Sequence, residues 1–266
     1  MRLAVGQAPA TSDVDEAVRA AVVLVDAAAA AGARLLLLSE LFLTGYDPAT
    51  WSIEQSLDPG SPRLRPLRDA ARSTGVSVLV GAATRGTDGT LRNSLLLVDV
   101  DGSVGVAYDK RQLWVDERSS FVAGDDAVVL DVDGVLVGLG VCYDAGFPEA
   151  ARAYGRAGVH ALLFASAFAS GEEQHRYELY HPARALENGC FTAVSNAVGR
   201  LGDVDFSGNG LVVDPRGHVV ARLGDADEII VVDVDVDDVV AARADLPYLT
   251  DLRPVESCRT VRTLTS

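Results

Sequence analysis

Runs of apolar residues of strand length alternate along the chain with segments of helical periodicity. The strands predicted by the apolar runs cover approximately residues 1–7, 34–40, 76–83, 135–141, 161–165, 191–196, 210–214, 219–223 and 229–236. The helices predicted by the periodic segments cover approximately residues 13–31, 62–73, 148–157 and 175–188. Ser12 is the expected N-cap of the first helix, and Gly32 its C-terminal stop.

Three Asp-Gly pairs separate extended apolar segments and predict tight β-hairpins. They are Asp88-Gly89, Asp101-Gly102 and Asp133-Gly134. Because hairpins join antiparallel strands, the sheets are expected to be mixed rather than purely parallel. No linker, repeat or low-complexity segment interrupts the pattern. The sequence therefore predicts a single α/β domain in which helices cover sheets.

The composition narrows the possible partners and cofactors. The 266 residues carry a formal net charge of −15, which argues against a nucleic-acid or anionic-membrane partner. The three cysteines form neither a disulfide framework nor a Cys-x-x-Cys pair, and the four histidines show no metal-ligand spacing. The N-terminal segment also lacks the pattern of a signal peptide. We therefore expect a cytoplasmic protein without a metal or other cofactor.

Cys142 is the first candidate for chemistry. An apolar strand leads into it, and the helix expected from Pro148 follows it. A nucleophile on such a turn has an exposed side chain with backbone N–H groups nearby, and a helix N-terminus favours the thiolate. The alternatives are an inert buried thiol and a redox-sensing thiol, although the sequence has no resolving cysteine close by. Cys190 and Cys258 lack such a turn.

Lys110 is the only lysine in the chain, because all other basic residues except the histidines are arginines. A general preference for arginine explains the arginines but not the retained lysine. Lysine carries a compact charge on a flexible stem, whereas arginine presents a broad guanidinium that stays protonated. The position is therefore a candidate for a chemical role.

Three segments, in this order, resemble the motifs of the nitrilase superfamily, the carbon–nitrogen hydrolases. They are Leu-Leu-Leu-Leu-Ser-Glu40, Tyr108-Asp-Lys110-Arg-Gln-Leu and Gly-Val-Cys142-Tyr-Asp-x-x-Phe-Pro-Glu149. Glu117, within Asp-Glu-Arg, is similar to the family's second glutamate, and residues 183–188 resemble a further family segment. The resemblance covers the chain to about Val240. It implies a single-domain α-β-β-α sandwich with two mixed sheets covered by helices.

The resemblance implies a role for each matched residue. Glu40 matches the general base that takes the proton of Cys142, returns it to the leaving amine and then activates water. Lys110 matches the lysine that stabilises the oxyanion, together with the backbone N–H of Tyr143. Glu117 matches the glutamate that holds Lys110 and orients substrate or water. Taken alone, Glu40 is more typical of an acid that ends a strand beside a solvated loop, and Glu117 fits a solvated charged loop.

The motif around Cys142 also favours one kind of substrate. Cys-Tyr-Asp resembles the amidase and carbamoyl-amide branches, whereas nitrile hydrolases more typically have Cys-Trp-Glu. We expect cysteine-dependent hydrolysis of a small linear amide through a thioester, with release of ammonia or amine. An N-carbamoyl-amine hydrolase, a nitrilase, an acyl transferase and a non-enzymatic binding protein on the same fold are the alternatives. Ala145 stands where the family usually has a larger aliphatic residue, and Gly146 follows it.

Further charged residues are assigned by their positions on the expected elements. Glu173 and His175 follow a strand in a loop and are candidate substrate contacts. Arg184 and Glu187 are spaced i, i+3 on a helix, which predicts a structural ion pair. The strict alternation over residues 232–237 predicts a solvated strand face bearing Asp233, Asp235 and Asp237, rather than a calcium site.

The last residues of the chain carry little apolar periodicity. We therefore divide the chain into a hydrolase domain, residues 1–245, and an extended C-terminal tail, residues 246–266, which contains Pro247 and Pro254. The resemblance implies association through the helical layers, with the tail crossing to a partner subunit. At least a homodimer is expected.

Overall fold

A computed structural model describes residues 1–224 and 228–253, leaving aside the side chains of Glu173 and Glu228. The strands in these residues are β1 (Arg2–Gln7), β2 (Leu35–Leu37), β3 (Ser77–Arg85), β4 (Leu91–Val98), β5 (Val104–Asp109), β6 (Val129–Val132), β7 (Val135–Val141), β8 (Ala161–Ser166), β9 (Phe191–Asn196), β10 (Val198–Leu201), β11 (Val204–Ser207), β12 (Leu211–Val213), β13 (Val219–Arg222) and β14 (Glu228–Asp233). The helices are α1 (Val14–Ala30), α2 (Arg65–Thr74), α3 (Pro148–Arg156), α4 (Glu173–Asn188), α5 (Val236–Asp245) and α6 (Tyr248–Asp251).

The strands form two six-stranded sheets and one separate hairpin. The first sheet has the order β14-β1-β2-β3-β4-β5, and the second has the order β13-β12-β9-β8-β7-β6. Parallel pairs lie at the centre of each sheet, β1 with β2 and β2 with β3 in the first, β7 with β8 and β8 with β9 in the second. The remaining pairs are antiparallel, and all three predicted hairpin turns join such pairs. The prediction of mixed sheets is confirmed.

The two sheets pack face to face, and helices cover their outer faces. Along β2, Leu35 and Leu37 lie in the core between the sheets, whereas Leu36 and the following Leu38 lie in the core under α1 and α2. A third core lies between the second sheet and helices α3 and α4. A strand covered on both faces is apolar throughout, which explains the uninterrupted leucine run. The α-β-β-α sandwich is confirmed.

The N-cap of the first helix lies one residue later than predicted. Asp13, not Ser12, is the N-cap, and its carboxylate accepts hydrogen bonds from the backbone N–H groups of Asp15 and Glu16. Gly32 follows the helix with a φ of +74°, as expected of a glycine that ends a helix.

The region after residue 197 differs most from the prediction. The hairpin of β10 and β11 was not predicted, and the predicted strand 229–236 ends at Asp233. The prediction that residues 232–237 form a solvated strand face is wrong beyond Asp233. The Asp235 carboxylate instead caps α5 by accepting a hydrogen bond from the backbone N–H of Asp237. Part of the predicted extended tail is helical, since α6 lies within it and contacts α4. Residues 254–266 of that tail lie outside the described residues.

No helix in the described part of the chain is long and apolar enough to cross a membrane. Within residues 1–224 and 228–253, no group of three or more His, Cys, Asp or Glu side chains is arranged to hold a metal ion.

Candidate active site

Three of the predicted residues follow strands, and Glu117 joins them at one end of the sandwich. Glu40 lies just beyond the end of β2, and Lys110 directly follows β5 in the same sheet. Cys142 directly follows β7 in the second sheet, and Glu117 lies in a 3₁₀ turn, Asp116–Ser119. Residues from both sheets therefore build a single site between them.

Glu40, Lys110 and Glu117 form a closed cluster of charges. The Lys110 Nζ atom lies 2.6 Å from Glu40 Oε1 and 2.7 Å from Glu117 Oε1, and all three side chains have no exposed surface. Asn93, on β4, donates from Nδ2 to the same two oxygens, at 2.8 and 3.2 Å. The other Glu117 oxygen accepts from the backbone N–H of Trp114 at 2.7 Å. The cluster carries two acids against one base, so one carboxylate lacks a matching charge.

The pKa values of Glu40 and Lys110 both differ from their ordinary values in this cluster. Burial raises the pKa of Glu40 to about 7, and the Glu117 carboxylate adds to that shift, although Lys110 opposes it. Burial acts to lower the pKa of Lys110, but Glu40 and Glu117 outweigh it and raise that pKa above its ordinary value. Lys110 is thus a fixed positive charge, while Glu40 can gain or lose a proton near neutral pH.

Cys142 opens a 3₁₀ turn, Cys142–Gly146, in a conformation that L-amino acids rarely adopt. Its φ is +44°, whereas the preceding Val141 is extended. Such strain at a non-glycine residue is typical of functional sites. Burial raises the pKa of the Cys142 thiol well above its usual value, and the charge of Glu40 raises it further. Lys110 and the backbone N–H of Ala167 act to lower the same pKa. The predicted lowering of this pKa is wrong, since burial and the charge of Glu40 outweigh the groups that lower it.

Cys142 lines a cavity of about 180 Å³, together with residues of α4, of β11 and of loops that follow strands. Its walls are mostly aromatic and apolar: Tyr46, Trp114, Asp116, Cys142, Tyr143, Ala167, Phe168, Ala169, Arg176, Tyr180, Val204 and Phe206. The Arg176 guanidinium lies 5.1 Å from the centre of the Trp114 ring, whose edge contacts Tyr143. A larger groove of about 720 Å³, beside residues 50–63, contains none of the four catalytic candidates. The smaller cavity is therefore the candidate active site.

The family model described as "Carbon-nitrogen hydrolase" matches residues 2–244. The chain belongs to this family. A 2-oxoglutaramate amidase of Bacillus subtilis is 30% identical over 223 residues, 83% of this chain and 85% of the relative. An (R)-stereoselective amidase of a Pseudomonas species is 34% identical over 221 residues, 82% of this chain and 79% of the relative. The nitrilase-superfamily resemblance of the three motifs is thereby confirmed.

Solved structures of the family share this architecture. A crystal structure of an amidase from Nesterenkonia sp. aligns with a TM-score of 0.80 at 33% identity, covering 93% of this chain and 95% of the amidase. A mutant of the Nesterenkonia amidase, also at a TM-score of 0.80 and 33% identity, covering 95% of this chain and 94% of that one, carries the acetamide moiety of fluoroacetamide covalently added at its active-site cysteine.

The structure also locates the charged residues whose roles were predicted from their positions on the expected elements. His175 is exposed on α4 and is not among the residues lining the cavity; the next residue, Arg176, lines it instead. Glu173 begins α4, and its side chain lies outside the described part of the structure. Arg184 and Glu187 form the predicted ion pair at 3.0 Å. Arg184 also donates from Nε to the backbone oxygen of Ala145, which supports the turn after Cys142.

Several residues of the site are difficult to recognise from the sequence alone. Asn93 stands between Arg92 and Ser94 at the polar start of β4, so its buried amide is only a weak indication of a function. Tyr46 and Phe206 reach the cavity from segments far apart in sequence. Only the fold brings such aromatic residues to one wall.

Proposed function

We propose that this chain is a cysteine-dependent amidase that hydrolyses the carbon–nitrogen bond of a small linear amide through a thioester. The observation that carries the proposal is the position of Cys142, a strained thiol lining an aromatic cavity. Its ionisation is coupled to the charges of Glu40, Lys110 and Glu117. The thiol is neutral at rest, and the carboxylate that titrates near neutrality is the base available to it.

In the acylation step, Glu40 takes the Cys142 proton and the thiolate attacks the amide carbon. Lys110 and the backbone N–H of Tyr143 stabilise the oxyanion that forms. The carbon–nitrogen bond breaks as Glu40 returns its proton to the leaving nitrogen, which departs as ammonia or an amine. Glu117 keeps Lys110 in place through its 2.7 Å contact.

In the deacylation step, Glu40 removes a proton from water, which attacks the thioester carbon. The bond to Cys142 breaks, the thiol regains a proton, and the carboxylic acid leaves. An amine in place of water would make the same intermediate an acyl donor. Hydrolysis is favoured because the chain resembles proteins described as amidases.

Two observations bear on the acyl group. The aromatic walls favour a slim, largely apolar chain, which fits a linear aliphatic amide. Arg176 lines the same cavity and favours a second candidate, an amide with a carboxylate at its far end. N-carbamoyl amines and nitriles are retained as comparison substrates.

The test is a panel of neutral aliphatic amides, ω-amides, N-carbamoyl amines and nitriles, with ammonia release as the readout. Mass spectrometry of acid-quenched protein should detect the acyl group on Cys142. Cys142→Ala should abolish turnover without loss of the fold. Activity that survives in Cys142→Ala contradicts the mechanism. Arg176→Gln should lower kcat/KM for the ω-amide about tenfold or more, and leave the neutral amide within about threefold.

We also propose that the functional unit is at least a homodimer. Exposed apolar side chains lie on α4, on β13 and in α6 and the residue after it: Leu179, Leu186, Val219, Val220, Tyr248 and Leu252. Because α4 and α6 contact each other, their exposed apolar side chains favour an interface between protein chains. Light scattering at micromolar concentration tests it, and a monomeric mass would contradict it.

A further inference from the structure

Asp144, two residues after the nucleophile, is a buried carboxylate whose hydrogen bonds span the active site. Only 4% of the residue is exposed. Oδ2 accepts from the backbone N–H of Val141 at 2.9 Å and from the Tyr108 hydroxyl at 2.8 Å. Oδ1 accepts from the backbone N–H of Gln112 at 2.8 Å. A buried carboxylate is costly unless it is well hydrogen-bonded, and three donors meet that requirement here.

The three donors belong to the two segments that carry the reacting groups. Val141 immediately precedes Cys142, so its bond to Asp144 closes the turn that holds the thiol at its strained φ of +44°. Tyr108 and Gln112 flank Lys110, two residues before and two residues after it. One carboxylate therefore holds the nucleophile's turn and both sides of the lysine segment.

These two segments come from different sheets. Lys110 follows β5 of the first sheet, whereas Cys142 follows β7 of the second. Between the sheets the contacts are largely apolar side chains, which pack tightly but set no single hydrogen-bond geometry. The Asp144 bonds supply a directional link between the sheets at the site.

We infer that Asp144 is a positioning residue that fixes the separation between the Cys142 thiol and the Glu40–Lys110–Glu117 cluster. The inference rests on the proposed thiol mechanism, since that mechanism needs Cys142 within reach of Glu40 and Lys110. A displacement of about 1 Å in such a constellation costs about 100-fold in rate. Asp144 itself does not touch the reacting atoms.

The decisive variant is Asp144→Asn, which keeps the size of the side chain. Its amide NH₂ would face at least one N–H or O–H donor, so the link breaks on one side. We expect kcat for the best amide to fall about 100-fold with KM within about threefold. A second readout is the rate at which iodoacetamide alkylates Cys142 across pH, followed by peptide mass spectrometry.

Alkylation needs no oxyanion stabilisation, so it reports on the thiol and its base alone. In the wild type, Glu40 assists the thiol, and the alkylation midpoint follows the pKa of Glu40, about 7. In Asp144→Asn the thiol loses that assistance and must ionise by itself. The midpoint should then rise by about one pH unit or more.

Two further variants serve as a second test and as a control. Tyr108→Phe removes one of the three donors and keeps both backbone bonds, so smaller shifts in the same direction are expected. Its effect should shrink in the Asp144→Asn background, because the two residues act as one unit. Asp109→Asn is the matched control: this aspartate also adjoins Lys110, but its bond to Ser94 stays within the first sheet. Its alkylation midpoint should match the wild type.

Wild-type kcat and an unshifted midpoint in Asp144→Asn would overturn the inference. A lowered melting temperature with an unshifted midpoint would also overturn it, because Asp144 would then be purely structural. If Asp144→Asn does not fold, an unshifted midpoint in Tyr108→Phe has the same meaning. A wild type that hydrolyses no amide refutes the proposed function, while the alkylation midpoint still decides the role of Asp144.

Discussion

Lys110 donates to Glu40 across 2.6 Å in an environment where neither side chain reaches solvent. The pair joins the one lysine of the chain to Glu40, whose pKa burial raises to about 7. Lys110 binds Glu117 with the same ammonium, at 2.7 Å. A compact charge with several donors can serve both partners from one point, and a guanidinium cannot.

Lys110→Arg should therefore lower kcat at least about 100-fold, the usual cost of losing a preorganised oxyanion donor. Because the site is fully buried, the larger side chain should also destabilise the fold by about 1–3 kcal/mol. Steady-state kinetics and thermal unfolding measure the two effects.

The control exchange is the reverse one at the surface. Arg65→Lys changes a side chain that is 82% exposed on α2, and it should leave both activity and stability within error. Retention of most of the activity in Lys110→Arg would remove the lysine from the mechanism.

The raised pKa of Glu40 predicts the pH dependence of catalysis. Glu40 must be deprotonated to accept the thiol proton, so kcat/KM should fall about tenfold per pH unit below about 7 and level off above it. A pH–rate profile between pH 5 and 9 measures this. A plateau that extends down to pH 5 would be incompatible with Glu40 as the base.

The same shift affects stability with a defined sign. The folded protein holds the Glu40 proton more tightly than the unfolded chain, so this stabilisation is complete below 4.5, the ordinary pKa of a glutamate. It is lost as pH rises through about 7. In Glu40→Gln the melting temperature should therefore decline less between pH 5 and 7.5 than in the wild type. Parallel declines would argue against the raised pKa.

Gly81 on β3 makes room for the general base. A Cβ atom there would lie 2.4 Å from both the backbone nitrogen of Leu41 and the backbone oxygen of Ser39, so Gly81→Ala must displace the backbone around Glu40. We expect kcat to fall about tenfold or more and the fold to lose about 1–3 kcal/mol. Gly105→Ala on β5, where a Cβ meets nothing within 4 Å, is the control. Equal kinetics in the two variants would refute this positioning.

Asn93→Ala tests the amide that joins the two glutamates. Its Nδ2 hydrogen bond lowers the pKa of Glu40 against the effect of burial. Without it, the midpoint of the pH–rate profile should move to higher pH and kcat should fall by about an order of magnitude. An unchanged midpoint would show that the Asn93 amide does not influence the base.

The sequence indicated the fold where local pattern and tertiary packing agree. Strands β7 and β9 occupy the predicted residues, because their apolar runs are bounded by turns and buried on both faces. The meeting of Glu40 with Lys110 was indicated by motif resemblance, since their hydrogen bond spans 70 positions of sequence and no periodicity encodes it.

The failures also have physical causes. The alternation before Asp237 looked like a strand because valine and aspartate fit a half-exposed sheet, but Asp235 caps a helix instead. Apart from Cys142 and Tyr143, the cavity walls were not predicted. Their side chains come from loops, from α4 and from the β10–β11 hairpin, whose positions depend on long-range contacts.

The burial of a unique lysine has a practical consequence for proteolysis. A lysine-specific endoprotease has one peptide bond to cut in this chain, between Lys110 and Arg111, and the lysine side chain it must bind lies in the closed catalytic cluster. Cleavage requires that segment to leave the interior, so at low protease concentration its rate measures the population of molecules in which the site has opened. The rate at which fragments 1–110 and 111–266 appear therefore reports directly on the opening of the catalytic centre.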